Sequence, residues 1–219
     1  MKKSYRWILI LVLLGFVISG IFLSMAPERI PAHYNIHGEI DRWGSRLEYL
    51  IFPIINLFFG AFMAWLARHE GKQGREMNER VVTSMTVMIL ILFNALWIFF
   101  MWKAVDISNL GGNLGEIPAK LITVILCASF IPLGNIMPKA ERNSLVGLRT
   151  KWSMANDRCW QQSQRFAGYA FVITGILGVM ICSLLPGLWS GYALLALILG
   201  MTVICTYASY KIYRKDQGE

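Results

Sequence analysis

Six apolar runs divide this chain, and each is close to the length that crosses a bilayer. They fall at about 7–25, 49–67, 81–102, 118–137, 166–185 and 188–210, and a helix needs roughly 20 residues to span the hydrocarbon core. The sequence therefore predicts an all-α fold, a polytopic membrane helix bundle with six transmembrane helices. The chain is 56% hydrophobic with a mean hydropathy of +0.50, against about 45–50% apolar residues in soluble domains. The excess sits in the runs, so lipid is the solvent for most of the chain. The first run follows Lys2, Lys3 and Arg6 as a signal peptide would. Its core exceeds the roughly 7–15 residues of a secretory segment, so it is expected to stay as an uncleaved helix. Gly15, Ser19 and Gly20 would give that helix a small-residue face for a neighbour.

The net charge of +8 is distributed by topology. Lys2, Lys3 and Arg6 precede the first run. Arg68, Lys72, Arg75 and Arg80 fall in the second loop, and Lys139, Arg142, Arg149, Lys151, Arg158 and Arg165 in the fourth. Lys211, Arg214 and Lys215 follow the last run. These are 16 of the 21 Lys and Arg residues, and all lie on one side of a six-span arrangement. Cytoplasmic loops carry the excess of basic residues, so both termini are expected in the cytoplasm (N-in/C-in). Basic residues at span ends point to the bilayer as partner and away from direct nucleic-acid binding.

The rest of the composition narrows the function. No Asp, Glu, Lys, Arg or His lies well inside a run, whereas pumps and proton relays place ionisable groups there. Asn56 and Asn94 are expected to hydrogen-bond between helices, and Pro132 to kink the fourth. Trp7, Trp65, Trp97, Trp102 and Trp189 fall near span ends, as interfacial anchors do. Four cysteines, three of them inside runs, form no disulfide framework.

Two polar stretches carry chemistry. The first, residues 30–46, is expected outside the membrane. Pro31, Gly38 and Gly44 predict a series of turns rather than a helix. His33, Asn35, Asp41, Trp43 and Arg46 supply polar groups and a flat aromatic surface suited to a peptide or headgroup. His33, His37 and Asp41 are also spaced by four, the spacing that would stack metal ligands on one helix face, although no Cys and no HExxH pattern accompanies them. A self-packed cap, a binding surface and a metal site are the three readings of this loop.

The second stretch, residues 143–165, is the longest polar interruption and is expected in the cytoplasm. Asn143 is a turn former, and Gly147 is suited to a positive φ. Arg149 and Thr150 place a fixed cation beside a hydroxyl. Ser153 or Asn156 is expected to cap a helix beginning near Asp157, and Trp152 and Trp160 to lie on the membrane surface. Attraction of Arg149 and Lys151 to anionic lipid, docking of a cytoplasmic partner, and an internal lock made by Arg149 are the alternatives.

The two motifs together resemble a known family. Pro31, His33, Tyr34, Asn35, Gly38, Asp41, Trp43, Ser45 and Arg46 resemble the domain of unknown function at the front of SdpI-type membrane proteins. Gly134, Asn135, Pro138 and Lys139, followed by Asn143, Gly147, Leu148, Arg149, Thr150, Trp152, Ser153, Met154 and Trp160, resemble the SdpI signature itself. The resemblance implies an N-terminal domain over 1–70 and a four-span domain over 71–219. It implies a non-enzymatic immunity protein of the bacterial cell membrane, resisting a secreted antimicrobial peptide toxin, and a receptor that holds a cytoplasmic transcriptional repressor. By the same resemblance, His33, Asn35, Asp41, Trp43 and Arg46 face the toxin. Asn143, Gly147, Arg149, Thr150, Trp152 and Trp160 form the cytoplasmic signature. The family often has His where this chain has Gln164, and Thr where it has Ser163. No cofactor or metal is implied. A transporter or exporter of a toxic peptide or small molecule is the alternative, motivated by Pro132, Gly134 and Asn135 in the fourth run.

Overall fold

A computed structural model describes residues 3–35, 39–110, 117–143 and 145–218. Six helices long and apolar enough to cross a membrane occur among them: α1 (Lys3–Met25), α2 (Ile51–Lys72), α3 (Glu76–Leu110), α4 (Ile117–Ile136), α5 (Asp157–Leu184) and α6 (Gly187–Asp216). Between 17 and 39% of the residues in their apolar windows are buried. Phe58, Val203 and Leu184 are 70, 68 and 84% exposed, so large apolar side chains face outward. Water would penalise that surface and lipid does not; the chain is a multi-pass membrane protein.

α3 is longer than its apolar run. Glu76 and Glu79 lie in its first turn, where carboxylates complement the helix dipole. It continues to Leu110, so residues 106–110, expected in a loop, are helical, and residues 111–116 lie outside the described ones.

The chain divides into two compact units. The first comprises Met1–Arg68 and Thr83–Pro118, and the second His69–Val82 and Ala119–Glu219. These spatial units cut the chain differently from the sequence motifs because α3 packs with α1 and α2. The contact centres on Trp97, which is buried rather than interfacial as its span-end position suggested. Its ring stacks on Phe52 at 4.3 Å and meets Tyr49 edge-on at 5.3 Å. Its indole N–H donates to Ser19 Oγ at 2.8 Å, giving the buried polar tip a partner. Ile18 and Met101 complete this apolar cluster, whereas Trp7, Trp65, Trp102 and Trp189 are exposed as anchors would be. Asn94 Nδ2 donates across to Leu11 O at 3.1 Å, the interhelical bond expected of it. Asn56 is buried and makes no side-chain hydrogen bond among the described residues, contrary to expectation.

In the second unit, α4 and α5 touch backbone to backbone. A Cβ on Gly168 would lie 2.6 Å from Gly134 O, and one on Gly134 2.5 Å from Gly168 O. Only glycine permits that approach, and small residues are how helices associate closely in lipid. α4 runs through Pro132 to Ile136. Thr123 Oγ1 of α4 donates to Ser190 Oγ of α6 at 3.0 Å.

Candidate functional site

The stretch between α1 and α2 is a β-hairpin rather than a series of turns. β1 (Arg29–Tyr34) pairs antiparallel with β2 (Ile40–Ser45), with Pro31 opposite Trp43 and register shifts on either side of His33. Ile30 anchors it by packing, fully buried, with Ala26 and Val105. The fold brings His33 and Asp41 together across the strands, with Nδ1 and Oδ1 2.7 Å apart. Both side chains are exposed, at 65 and 44%. This is a strand pairing, so the helical stacking that motivated a metal reading does not occur. Among the described residues no three His, Cys, Asp or Glu side chains gather as a metal site; His37 and Gly38 lie outside those residues.

Asn35 closes the hairpin end. Its Nδ2 donates to Glu39 Oε2 at 2.7 Å and its Oδ1 accepts from the Glu39 N–H at 3.0 Å. Arg46 turns inward and Nη1 donates to Ala26 O at 3.2 Å and Leu23 O at 3.5 Å. These are orphan carbonyls of the α1 C-terminus, where a cation is favoured. Arg42 and Glu48 form a two-point ion pair, the shorter contact 2.9 Å, which holds the Arg42 guanidinium further above its ordinary value. Burial pushes the Tyr34 phenol up to about 12. Of the five residues expected to face outside, Trp43 is the apolar one left at the surface, 45% exposed, on a concavity shared with Glu28, Arg29, Arg46 and Leu47.

The segment between α4 and α5 is folded through side chain-to-backbone bonds. A 3-10 turn, Met137–Lys139, leaves α4. Asn143, buried, then wraps its own loop: Oδ1 accepts from the N–H groups of Leu145 and Val146, both at 2.7 Å, and Nδ2 donates to Glu141 O at 2.7 Å. Gly147 follows at φ +115°, and a Cβ there would lie 2.7 Å from Gln164 Oε1 and 3.0 Å from Trp160 Cη2. Gln164, fully buried on α5, pairs with the Leu148 backbone in both directions. Its Oε1 accepts from the N–H at 2.9 Å and its Nε2 donates to the C=O at 3.0 Å.

Thr150 and Ser153 form the next knot. The Thr150 N–H donates to Ser153 Oγ at 2.9 Å and the Ser153 N–H to Thr150 Oγ1 at 3.0 Å. Thr150 Oγ1 also meets Ser209 Oγ of α6 at 2.8 Å. Asn156 caps α5 as expected, its Oδ1 accepting from the Cys159 N–H at 2.8 Å.

Trp160 and Trp152 have different roles. Trp160, expected at the membrane surface, is 1% exposed, and its indole N–H donates to Ala140 O at 2.7 Å. Trp152 is half-buried, 5.1 Å from the Tyr210 ring. Arg149 is exposed and makes no hydrogen bond or ion pair among the described residues. Asn143, Ser153, Trp160 and Gln164 hold the segment internally, the role that one of the three readings of Arg149 gave to that residue.

A second polar cluster beside this segment escaped sequence reasoning. Glu70, 1% exposed near the end of α2, accepts from Arg75 Nε at 2.7 Å, Arg75 Nη2 at 2.9 Å and Asn78 Nδ2 at 3.2 Å. The carboxylate holds the Arg75 guanidinium further above its ordinary value. Asn78 Oδ1 in turn accepts from the Glu141 N–H at 2.9 Å, tying the α2–α3 turn to the segment. The available signal was Glu70 as an acid in a basic loop, five residues before Arg75. A cleft of about 540 Å³ opens here, and its wall includes Arg75, Lys139, Arg142, Asp157 and Arg165. Glu141 also lines it, Asp157 pairs with Arg142 at 2.8 Å and Glu70 with Arg75 at 2.7 Å, which leaves Lys139 and Arg165 as the cations outside these pairs.

Both stretches fall within matches to family models. Residues 139–209 match the SdpI/YfhL protein family, and residues 10–57 match a domain of unknown function, DUF1648. The chain is 28% identical over 220 residues to the Immunity protein SdpI of Bacillus subtilis (strain 168), covering 100% of this chain and 99% of that protein. No solved structure matches the chain.

Proposed function

We propose that this chain, with SdpI/YfhL and DUF1648 matches in one multi-pass protein, is an SdpI-type membrane protein and a non-enzymatic immunity protein conferring resistance to a secreted antimicrobial peptide toxin. The observation that carries the proposal is similarity along the whole chain to a protein named for immunity. In this reading both termini lie in the cytoplasm, residues 1–70 form the front domain and residues 71–219 the four-span domain. The hairpin between spans one and two then faces outside, and the segment between spans four and five faces inside. The basic residues of residues 139–165 support that orientation.

The exposed Trp43 face meets the toxin. On the other side, the cationic cleft and Arg149 form a docking surface for a cytoplasmic repressor. Arg149 suits that role because its guanidinium has five donors and no competing partner among the described residues.

The test is survival and membrane potential of a sensitive Gram-positive host challenged with the toxin, with membrane levels of each variant checked. The parent protein is expected to protect, and Trp43→Ala to lose protection while inserting normally. Arg149→Ala is expected to insert and protect but to lose repressor capture in a membrane pull-down. A well-expressed parent that gives no protection overturns the immunity reading.

A further inference from the structure

The cytoplasmic end proposed for α6 carries a feature that toxin resistance does not require. Trp152, Val203, Thr206, Tyr207 and Tyr210 border an apolar groove of about 430 Å³. Three rings on this groove each carry a cation. Lys151 Nζ lies 5.1 Å from the Trp152 ring centre, and Lys211 Nζ 5.4 Å from that of Tyr207. Arg214 Cζ lies 5.9 Å from that of Tyr210. Lys151 and Lys211 are exposed. The nearby acid Asp216 is engaged elsewhere, accepting from Asn156 Nδ2 at 2.7 Å and lying 3.6 Å from Arg158.

We propose that this groove is a binding site for one anionic phospholipid, its phosphate held by Lys151 and Lys211 and an acyl chain lying along Val203 between Trp152 and Tyr207. Two observations select that occupant. The groove wall is almost entirely apolar and cations stand against three of the rings that border it, which matches an amphiphile with a negative head. The groove also lies over the last turns of a membrane-spanning helix, where basic residues and aromatic rings meet the headgroup layer. The ring contacts hold the cations beside the groove's aromatic border, and Thr150–Ser209 and Trp152–Tyr210 fix the segment against α6 to form its wall. Lipid bound there bridges residues 151–152 and α6, stabilising the docked segment. The site does not depend on which molecule the hairpin recognises.

Native mass spectrometry of the full chain, with phosphatidylglycerol and phosphatidylcholine offered in equal amounts, tests the site. Preferential retention of phosphatidylglycerol is expected, falling about tenfold in the Lys151→Gln/Lys211→Gln variant, because each basic residue near an anionic surface contributes to attraction. Val203→Trp fills the groove and leaves the rim charges intact, and it is expected to lose the same retention. A phosphatidylglycerol carrying brominated acyl chains is expected to quench the parent's fluorescence more than that of Trp152→Phe. Equal retention of the two lipids, or full retention in the correctly folded Val203→Trp variant, overturns the proposal.

Discussion

Gln164 and Leu148 are joined as two peptide groups in a sheet are joined, the side-chain amide both accepting from and donating to one backbone residue. The bond pair fixes the middle of the segment to α5 through a fully buried side chain. Gln164→Leu strands part of the Leu148 backbone, and an unsatisfied buried polar group costs about 1–3 kcal/mol. The expected outcome is lower thermal stability in detergent and faster tryptic cleavage at Arg149 and Lys151. Gln164→His is expected to lie between the two, because the nitrogens of an imidazole diverge and serve only one of the two Leu148 groups at this position.

Gly147 is constrained twice, by its positive φ and by the side chains of Gln164 and Trp160. Gly147→Ala therefore combines backbone strain of about 1–3 kcal/mol with displacement of Gln164. Its tryptic susceptibility is expected to match or exceed that of Gln164→Leu. A Gly147→Ala protein as resistant as the parent refutes this account of the turn.

Trp160→Phe keeps most of the ring and removes the donor to Ala140 O. The expected loss is about 1–2 kcal/mol, from one buried hydrogen bond and a small volume change. The exposed Trp189 supplies the control: Trp189→Phe is expected to leave the melting temperature unchanged.

Arg46 anchors the hairpin to α1. Arg46→Ala uncaps the Leu23 and Ala26 carbonyls and is expected to destabilise that helix end by about 1 kcal/mol. Hydrogen exchange of amides in residues 23–34 would rise, while amides of α5 would keep their protection. Arg46→Lys retains the charge without the forked geometry and is expected to recover part of the effect.

The membrane frame was legible because lipid imposes one strong rule. Each span must be long, apolar and internally hydrogen-bonded, so six helices could be read almost from run length. The hairpin was not, because Pro31, Gly38 and Gly44 are turn signals in any context. The pairing of His33 with Asp41 depends on a strand register that spacing alone does not set.

Within the other segment, Asn143, Gly147 and Asn156 could be read because each acts on its own neighbours. Trp160 and Gln164 bond to residues 20 and 16 positions away, which no local pattern encodes; Glu70 and Arg75 are close in sequence, but nothing local marks the burial of that acid. Trp97 misled for a related reason: a tryptophan near a span end is as useful to a helix interface as to the headgroup layer, and Ser19 lies far away in the sequence.

Among the described residues of 143–165, the side chains that hold the fold are separate from exposed ones such as Arg149. Asn143, Ser153, Trp160 and Gln164 are buried, whereas Arg149 stands outside that set. A change at Arg149 leaves the scaffold's own bonds intact, so that position is open to variation at little cost to folding. Descendants of this chain could acquire new interaction partners there by single substitutions, without passing through unstable intermediates.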